Sequence, residues 1–126
     1  MINLDHFVLT SKNLEACIAF YTQGVGLPLI RFGEGNTRLA LQCGSQKINL
    51  HEVTTPATPK AQYPTSGSAD FCLITQEKLK DVQARMAQFG YTALIGPVAR
   101  TGATQPIISL YYADPDGNLV EIANPA

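Results

Sequence analysis

The hydrophobic and polar positions along the chain change period at regular intervals, and each change marks a predicted element. Residues 2–10 alternate like a strand with one buried face. Residues 14–21 then place apolar side chains at helical spacing, after Ser11 or Asn13 as the candidate cap. Further strands are predicted at residues 27–32, 38–42 and 47–53. The pattern therefore predicts the order βαβββ over residues 1–53.

The same order is predicted again after a segment rich in proline and small polar residues. Residues 54–67 read as a linker, and residues 68–126 form the second unit. Strands are predicted at residues 68–75, 91–95, 107–112 and 118–123, with a helix that ends at Gly90. The Asp114-Pro115-Asp116-Gly117 turn introduces the last strand. We therefore expect one α+β domain over residues 1–126.

The two units are related by a sequence offset that grows along the chain. An offset of 64 places Phe7 on Phe71 and Gly26 on Gly90. Towards the end an offset of 70 places His51 on Glu121, as though residues were inserted around 98–104. Repeats of this length are typical of duplicated units that bury their faces against each other. We therefore expect two βαβββ units packed about a pseudo-twofold axis.

Composition narrows the functional classes. The chain has 126 residues, a net charge of -1 and 45% hydrophobic residues, which suits one globular domain. This charge gives no reason to expect nucleic acid or an anionic membrane surface as a partner. No apolar run is long enough for a membrane span, and no signal peptide is visible at the N-terminus. Three widely spaced cysteines favour reduced thiols in the cytoplasm.

Four polar residues interrupt strand faces that are otherwise apolar. They are His6, His51, Asp70 and Glu121, and the repeat relates them as two pairs. A carboxylate on a buried face is costly unless it is paired or bound to a metal. Pseudo-twofold packing would bring the first and last strands of each unit towards one another. Two imidazoles and two carboxylates suit Zn, Ni, Mn, Fe or Co, so we predict one divalent metal ion.

The whole pattern resembles the vicinal oxygen chelate superfamily, which includes glyoxalase I, bleomycin-resistance proteins, fosfomycin-resistance enzymes and extradiol dioxygenases. The resemblance is carried by Leu4–Thr10, Phe20-Tyr21 before Gly26-Leu27, Ile48–Glu52 and Asp114–Ile122. In finer detail the chain is similar to small glyoxalase-domain-containing proteins of unassigned reaction, some of them virulence-associated. Those shared features are Asn49–Glu52, residues 64–70 and residues 96–103.

The resemblance implies a metal site built from the first and last strands of each unit. The matching positions hold His6, His51, Asp70 and Glu121, although the superfamily usually has histidine where this chain has Asp70. Glu52 on the opposite face competes with His51 for its place. Asp70 is either a ligand or a carboxylate that orients one. Glu121 or Asp70 is the candidate catalytic proton carrier.

Two further residues are candidates for substrate binding. Asn49 shares a strand face with His51. Arg100 lies in a predicted loop over residues 98–105, either as a clamp for a substrate carboxylate or phosphate, or as a solvated side chain.

Two functions of different classes follow from these candidates. The first is a metal-dependent enzyme of the glyoxalase type, of the lyase, isomerase or dioxygenase-like kind, in which the ion chelates two adjacent oxygens of a small substrate and stabilises an enolate or oxyanion. The second is a metal-free protein that sequesters a small molecule, as bleomycin-resistance proteins do. For either function we expect a homodimer, since two units leave open sheet edges and a half-exposed cleft.

Overall fold

A computed structural model of the protein describes residues 1–55 and 57–126, and it consists of two four-stranded sheets, each with its own helix. Pro56, within the predicted linker, lies outside the described residues. In chain order the elements are β1 (His6–Ser11), α1 (Leu14–Ala19), a π-helical turn (Phe20–Val25), β2 (Leu29–Phe32), a 3-10 turn (Glu34–Asn36), β3 (Arg38–Cys43), β4 (Gln46–Glu52), β5 (Asp70–Ile74), α2 (Leu79–Gln88), β6 (Ile95–Thr101), β7 (Pro106–Ala113) and β8 (Leu119–Pro125).

The two sheets have the same topology. The first has the strand order β1-β4-β3-β2 and the second the order β5-β8-β7-β6. In each sheet the first and last strands of the unit are parallel neighbours, and the remaining pairs are antiparallel. The predicted α+β class and the doubled βαβββ order are therefore confirmed.

Local signals in the sequence account for the limits of the first helix. The side chain of Asn13 accepts a hydrogen bond from the backbone N–H of Ala16 at 3.1 Å, which satisfies one of the free donors of the first turn. The π-helical turn ends at Gly26, whose φ of 91° lies in the left-handed region that glycine adopts without strain.

The core lies between each sheet and its helix, because alternate strand residues point to that side. Leu9, Ile48 and Leu50 fill the first unit, and Val120 and Ile122 fill the second. The helical segments contribute the remaining buried side chains, which include Cys17, Phe20, Tyr21, Val82 and Met86. The other face of each sheet is left outside this core, and it carries the polar residues singled out by the sequence.

The two units are joined by aromatic packing and by one arginine. The ring centroids of Phe7 and Phe71 are 5.2 Å apart in an edge-on arrangement, at positions that the offset of 64 makes equivalent. Arg85 of α2 donates to the carbonyl oxygens of Gly24 (2.8 Å) and Val25 (3.0 Å) and also pairs with the Glu77 carboxylate. It thus satisfies carbonyl groups at the end of the π-helical turn in the first unit.

One strand lies at other residues than the sequence predicts. A strand was expected at residues 91–95 and a loop at residues 98–105, but β6 runs from Ile95 to Thr101 and contains Arg100. The pairing register of β6 with β7 shifts between Ile95 and Val98, where Gly96 and Pro97 form an irregularity. β6 is an edge strand, where a proline is tolerated more readily than inside a sheet. The Gly-Pro pair therefore interrupts the pairing with β7 without ending the strand.

The turn before β8 contains a buried carboxylate that joins the two units. Asp114 Oδ1 accepts hydrogen bonds from the backbone N–H groups of Asp116 and Asn118, both at 2.9 Å. Its Oδ2 accepts from the hydroxyl of Tyr21 at 2.7 Å and from the Asn118 amide at 2.8 Å. Burial, followed by the charge of Asp114, raises the pKa of Tyr21, so the phenol stays protonated and continues to donate.

We predict that Tyr21→Phe destabilises the fold by about 1.5–3 kcal/mol, because a buried ionised carboxylate loses a donor while the ring volume is kept. The free energy of unfolding from urea titration measures this. Tyr63→Phe is the matched control, because the Tyr63 side chain is 78% exposed. Equal stabilities for the two variants would contradict a structural role for the Tyr21–Asp114 hydrogen bond.

Candidate functional site

The four predicted metal-binding residues lie on the sheet faces that point away from the helices. His6 begins β1 and His51 is near the end of β4, while Asp70 begins β5 and Glu121 is the third residue of β8. His6 and Asp70 are exposed, and His51 and Glu121 are half-buried. The four residues were expected to interrupt apolar, buried strand faces, but these faces point away from the core, because the opposite face of each strand packs against the helix.

The strand register decides which of these residues can be close to each other. The partner of His6 across the β1–β4 pair is Lys47, four residues before His51, so the two histidines are about 13 Å apart along the strands. The partner of Asp70 is Leu119, two residues before Glu121, which is a separation of about 7 Å. The two carboxylates are therefore diagonal neighbours, but the two histidines are not.

The register also corrects the pairing of residues between the units. Val8 lies opposite Asn49, and Cys72 lies opposite Glu121. Since the offset of 64 makes Val8 and Cys72 equivalent, the counterpart of Glu121 is Asn49 at an offset of 72. The pairing of His51 with Glu121 at an offset of 70 is therefore wrong. Both offsets are even, so both residues lie on the same face and alternation could not distinguish them.

Glu121 is held by two neighbours on the outward face of the second sheet. The hydroxyl of Ser109, which is fully buried, donates to Glu121 Oε2 at 2.5 Å. Cys72 lies directly opposite on β5. Burial, followed by the charge and hydrogen bond of Glu121, raises the pKa of Cys72 to about 11 and keeps its thiol protonated at neutral pH. The carboxylate is thus fixed by a hydroxyl on one side and bordered by a thiol on the other.

A cavity of about 360 Å³ opens beside this carboxylate. It is lined by the tip of the β6–β7 hairpin, residues 101–105, and by Cys72, Ile74, Ile107 and Glu121. The combination of apolar walls and one carboxylate is typical of a pocket for a small organic molecule.

Arg100 lies on the same outward face. Its Nε donates to the hydroxyl of Tyr111 at 3.0 Å, and its guanidinium carbon is 5.4 Å from the centroid of that ring. Tyr111 is itself the partner of Glu121 across the β7–β8 pair. The tyrosine therefore restrains an exposed cation next to the carboxylate, which suits the binding of an anionic group.

The outward face of the first sheet carries basic side chains, whereas that of the second sheet carries the carboxylates of Asp70 and Glu121. Lys47 and Arg38 lie over the ring of Phe32, at 3.4 Å and 4.7 Å from its centroid. Asn49 is buried and its Oδ1 has no hydrogen-bond partner among the described residues. His51 Nε2 is likewise buried without a partner in the part of the chain that the structure describes. Burial, followed by the charge of Arg38, lowers the pKa of His51.

One copy of the chain does not bring the predicted ligands together. Within residues 1–55 and 57–126, no group of three or more histidine, cysteine, aspartate or glutamate side chains is arranged to hold a metal ion. His6 Nδ1 lies 2.7 Å from the carboxylate of its neighbour Asp5. A metal site made of the predicted residues therefore needs an additional contributor.

The sequence did not predict two residues that contact the candidate site residues, Ser109 beside Glu121 and Tyr111 beside Arg100. Ser109 is a single small polar residue between Ile108 and Leu110, which is the only sign of it in the sequence. The contact of Tyr111 with Arg100 depends on the irregular register of β6, which the sequence pattern does not show.

The fold and the outward polar faces define a protein of two paired βαβββ units. The family model described as the Glyoxalase/Bleomycin resistance protein/Dioxygenase superfamily matches residues 3–122. The chain belongs to this superfamily. The resemblance stated from the sequence is therefore confirmed.

Individual proteins resemble the chain over nearly its whole length. Virulence protein STM3117 of Salmonella typhimurium is 46% identical over 120 residues, which cover 95% of this chain and 82% of that protein. Its crystal structure has a TM-score of 0.92 at 44% identity and covers 100% of this chain and 98% of that one. Glyoxalase domain-containing protein RDO1 of Mycosarcoma maydis is 43% identical over 122 residues, 97% of this chain and 68% of that protein.

More distant structures share the fold alone. Lactoylglutathione lyase from Agrobacterium tumefaciens has a TM-score of 0.70 at 21% identity and covers 97% of this chain and 92% of that one. The antibiotic binding protein TnmS3 from Streptomyces sp. CB03234 has a TM-score of 0.70 at 20% identity and covers 100% and 98%. Among the described residues, no helix combines the length and the apolar character that crossing a membrane requires.

We predict that His51 makes stability depend on pH. Because its pKa is lowered from 6.5 in the fold, the unfolded chain takes up the proton more readily, and stability falls as pH decreases below about 6.5. Urea midpoints between about pH 8 and pH 5.5 should fall less for His51→Gln than for wild type. His6→Gln is the control, since these are the two histidines of the sequence. A wild-type slope in His51→Gln would contradict the assignment.

Proposed function

We propose that the protein is a small-molecule enzyme of the glyoxalase type whose site forms between two copies of the chain. The observation that carries this proposal is the pair of uncovered sheet faces, which hold His6 with Asn49 and Asp70 with Glu121 at equivalent positions. On these faces Val8 is 45% exposed and Ile74 is 57% exposed. Apolar side chains beside ordered polar groups are typical of surfaces that a partner covers.

Charge supports pairing the first sheet of one copy with the second sheet of another. The first face carries Arg38 and Lys47, whereas the second carries Asp70 and Glu121 against the single cation Arg100. Opposite charges favour this encounter and disfavour pairing of like faces. A twofold dimer built in this way would contain two identical sites.

The donor set fits a divalent metal ion once both faces contribute. His6 offers an imidazole, Asp70 and Glu121 offer carboxylates, and Asn49 offers the buried Oδ1 that lacks a partner in the described chain. A buried polar atom without a partner is rare and calls for a ligand. This nitrogen and oxygen set suits Zn, Ni, Mn, Fe or Co. Asn49, first predicted as a substrate contact, is better placed than His51 for the β4 donor.

Each residue near the ion has a defined task in this proposal. A divalent ion bound there supplies Lewis-acid polarisation to two neighbouring oxygens of the substrate. Arg100, restrained by Tyr111, binds an anionic group such as a carboxylate. Ser109 orients Glu121 through a hydrogen bond to Oε2. Asp70 or Glu121 carries a proton, since each is a carboxylate at the edge of the site.

A metal-free binding protein is the second candidate. It is favoured by the lack, within one described chain, of a cluster that could hold a metal. The cavity beside Glu121 would then take a small organic cation, with the carboxylate as its counter-charge and Ile74 and Ile107 as apolar walls. Elemental analysis of protein purified without an affinity tag distinguishes the two candidates, because the binding protein would contain no stoichiometric divalent metal.

We also propose that the protein is cytoplasmic. Cys17, Cys43 and Cys72 are all free thiols, as expected in a reducing compartment. Fractionation of the source cells with a cytoplasmic marker tests this placement.

We expect Glu121→Gln to lower the affinity for the divalent ion at least 10–100-fold. Loss of a residue that only hydrogen-bonds a metal ligand has an effect of about this size, and a direct ligand contributes more. The metal-free fold should keep its stability, since a neutral amide costs less to bury than a carboxylate. The shift in Tm on adding Zn, Ni, Mn or Co measures both effects. Glu52→Gln, on the opposite face of β4, is the control. An unchanged metal-induced Tm shift in Glu121→Gln would contradict the assignment of Glu121 as a metal ligand.

The shared site can be tested by mixing two inactive variants. Neither His6→Ala nor Glu121→Gln should bind the metal alone. A hybrid dimer has one intact site, so an equimolar mixture should regain about a quarter of the wild-type sites after exchange of subunits. Equilibrium dialysis counts the bound ions. No recovery from a mixture that light scattering shows to be dimeric would contradict a site made by two copies.

A further inference from the structure

A second pocket lies at the opposite end of the first sheet from His6. It has a volume of about 210 Å³ and is enclosed between the ends of β1 and β4 and the segment that joins the two units. The sheet contributes Val8, Thr10 and His51, and the joining segment contributes Lys60, Tyr63 and Ser68 among others. A water molecule takes up about 30 Å³ of liquid, so the pocket has room for a ligand that replaces about seven waters.

This pocket is distinct from the candidate metal site. Thr10 is the partner of His51 across the β1–β4 pair, whereas His6 is four residues away along β1. None of the residues that line the pocket in the described chain is His6, Asp70, Arg100 or Glu121. His51 is thus a prominent polar residue of the sequence that the proposed function leaves unused.

The chemistry of the pocket walls favours an anion. His51 is one of the lining residues, and its imidazole can donate a hydrogen bond from a protonated ring nitrogen. Lys60 contributes a cation, and Thr65 and Ser68 contribute hydroxyl groups that contact each other at 3.3 Å. Among the described lining residues there is no carboxylate that would repel an anion.

The remaining walls of the pocket are apolar, so the ligand should also have a hydrocarbon portion. Val8, Leu9, Ala61, Pro64 and Ala69 surround the polar groups. They provide contacts for a short hydrocarbon portion and none for further charged oxygens. An inorganic anion would leave this surface unused.

We propose that this pocket binds a small organic monocarboxylate, with Lys60 as the counter-charge, His51 and the hydroxyl groups of Thr65 and Ser68 as hydrogen-bond donors, and the joining segment as the cover. The site is separate from the proposed metal site, since none of the four proposed donors, His6, Asn49, Asp70 and Glu121, lines it. His51 is therefore a ligand-binding residue of a second site.

Butyrate is the probe for this site, and amide resonances of the wild-type protein are followed during its titration. We expect saturable shifts at Thr10, Ala61 and Ser68. His51→Ala should weaken butyrate binding at least tenfold, about 1.4 kcal/mol. His6→Ala is the matched control and should bind butyrate as wild type does. Absence of saturable shifts at these three amides would overturn the proposal without any variant.

Two comparisons give the test its specificity. Butylamine, which has the same chain and the opposite charge, should not shift these amides, and equal binding would overturn the anion assignment. Inorganic phosphate should bind more weakly than butyrate, and equal or tighter binding would overturn the requirement for a hydrocarbon portion.

The metal-induced Tm shift of His51→Ala should match that of wild type, whatever the outcome for Glu121→Gln. A loss of that shift would return His51 to the metal site and overturn its assignment to the pocket.

Discussion

The buried carboxylate of Asp114 is the constraint on which the rest of the arrangement depends. A charged group that is 4% exposed is tolerable only when its oxygens are fully hydrogen-bonded, and Asp114 receives bonds from Tyr21, from Asn118 and from two backbone N–H groups. The same turn contacts the first unit again, because Asp116 Oδ1 accepts from the backbone N–H of Lys12 at 2.9 Å. One turn therefore fixes the position of the second unit relative to the first.

This turn also sets the register of β8, and with it the candidate site. The Oδ1 of Asn118 accepts from the backbone N–H of Ala69, just before β5, and the N–H of Leu119 donates to the carbonyl of Ala69. These bonds align β8 with β5 at their first residues, and Glu121 comes to lie opposite Cys72. A carboxylate placed in this way is within reach of Ser109 on the other neighbouring strand. The position of Glu121 follows from hydrogen bonds made several residues away.

Duplication has produced two faces of similar shape and different chemistry. At equivalent positions the first unit has His6 and Asn49, and the second has Asp70 and Glu121. Two identical faces would repel each other if both carried carboxylates, whereas a basic and an acidic face attract. In the proposed twofold assembly this difference favours the pairing of unlike units.

The sequence alone determined the order of the elements, the start of the first helix, the turn at Asp114 and the alternation that places His6, His51, Asp70 and Glu121 on one side of their strands, because these depend on local periodicity, capping and turn chemistry. Tertiary structure decided the counterpart of Glu121, the distance between His6 and His51, and the contact of Ser109 with Glu121. Alternation in a strand has a period of two, so a slip of two residues keeps every side chain on its face and leaves the pattern unchanged. Register depends instead on hydrogen bonds between distant segments. The placement of Arg100 in β6 has the same origin, since an edge strand tolerates a Gly-Pro pair that would end a strand inside a sheet.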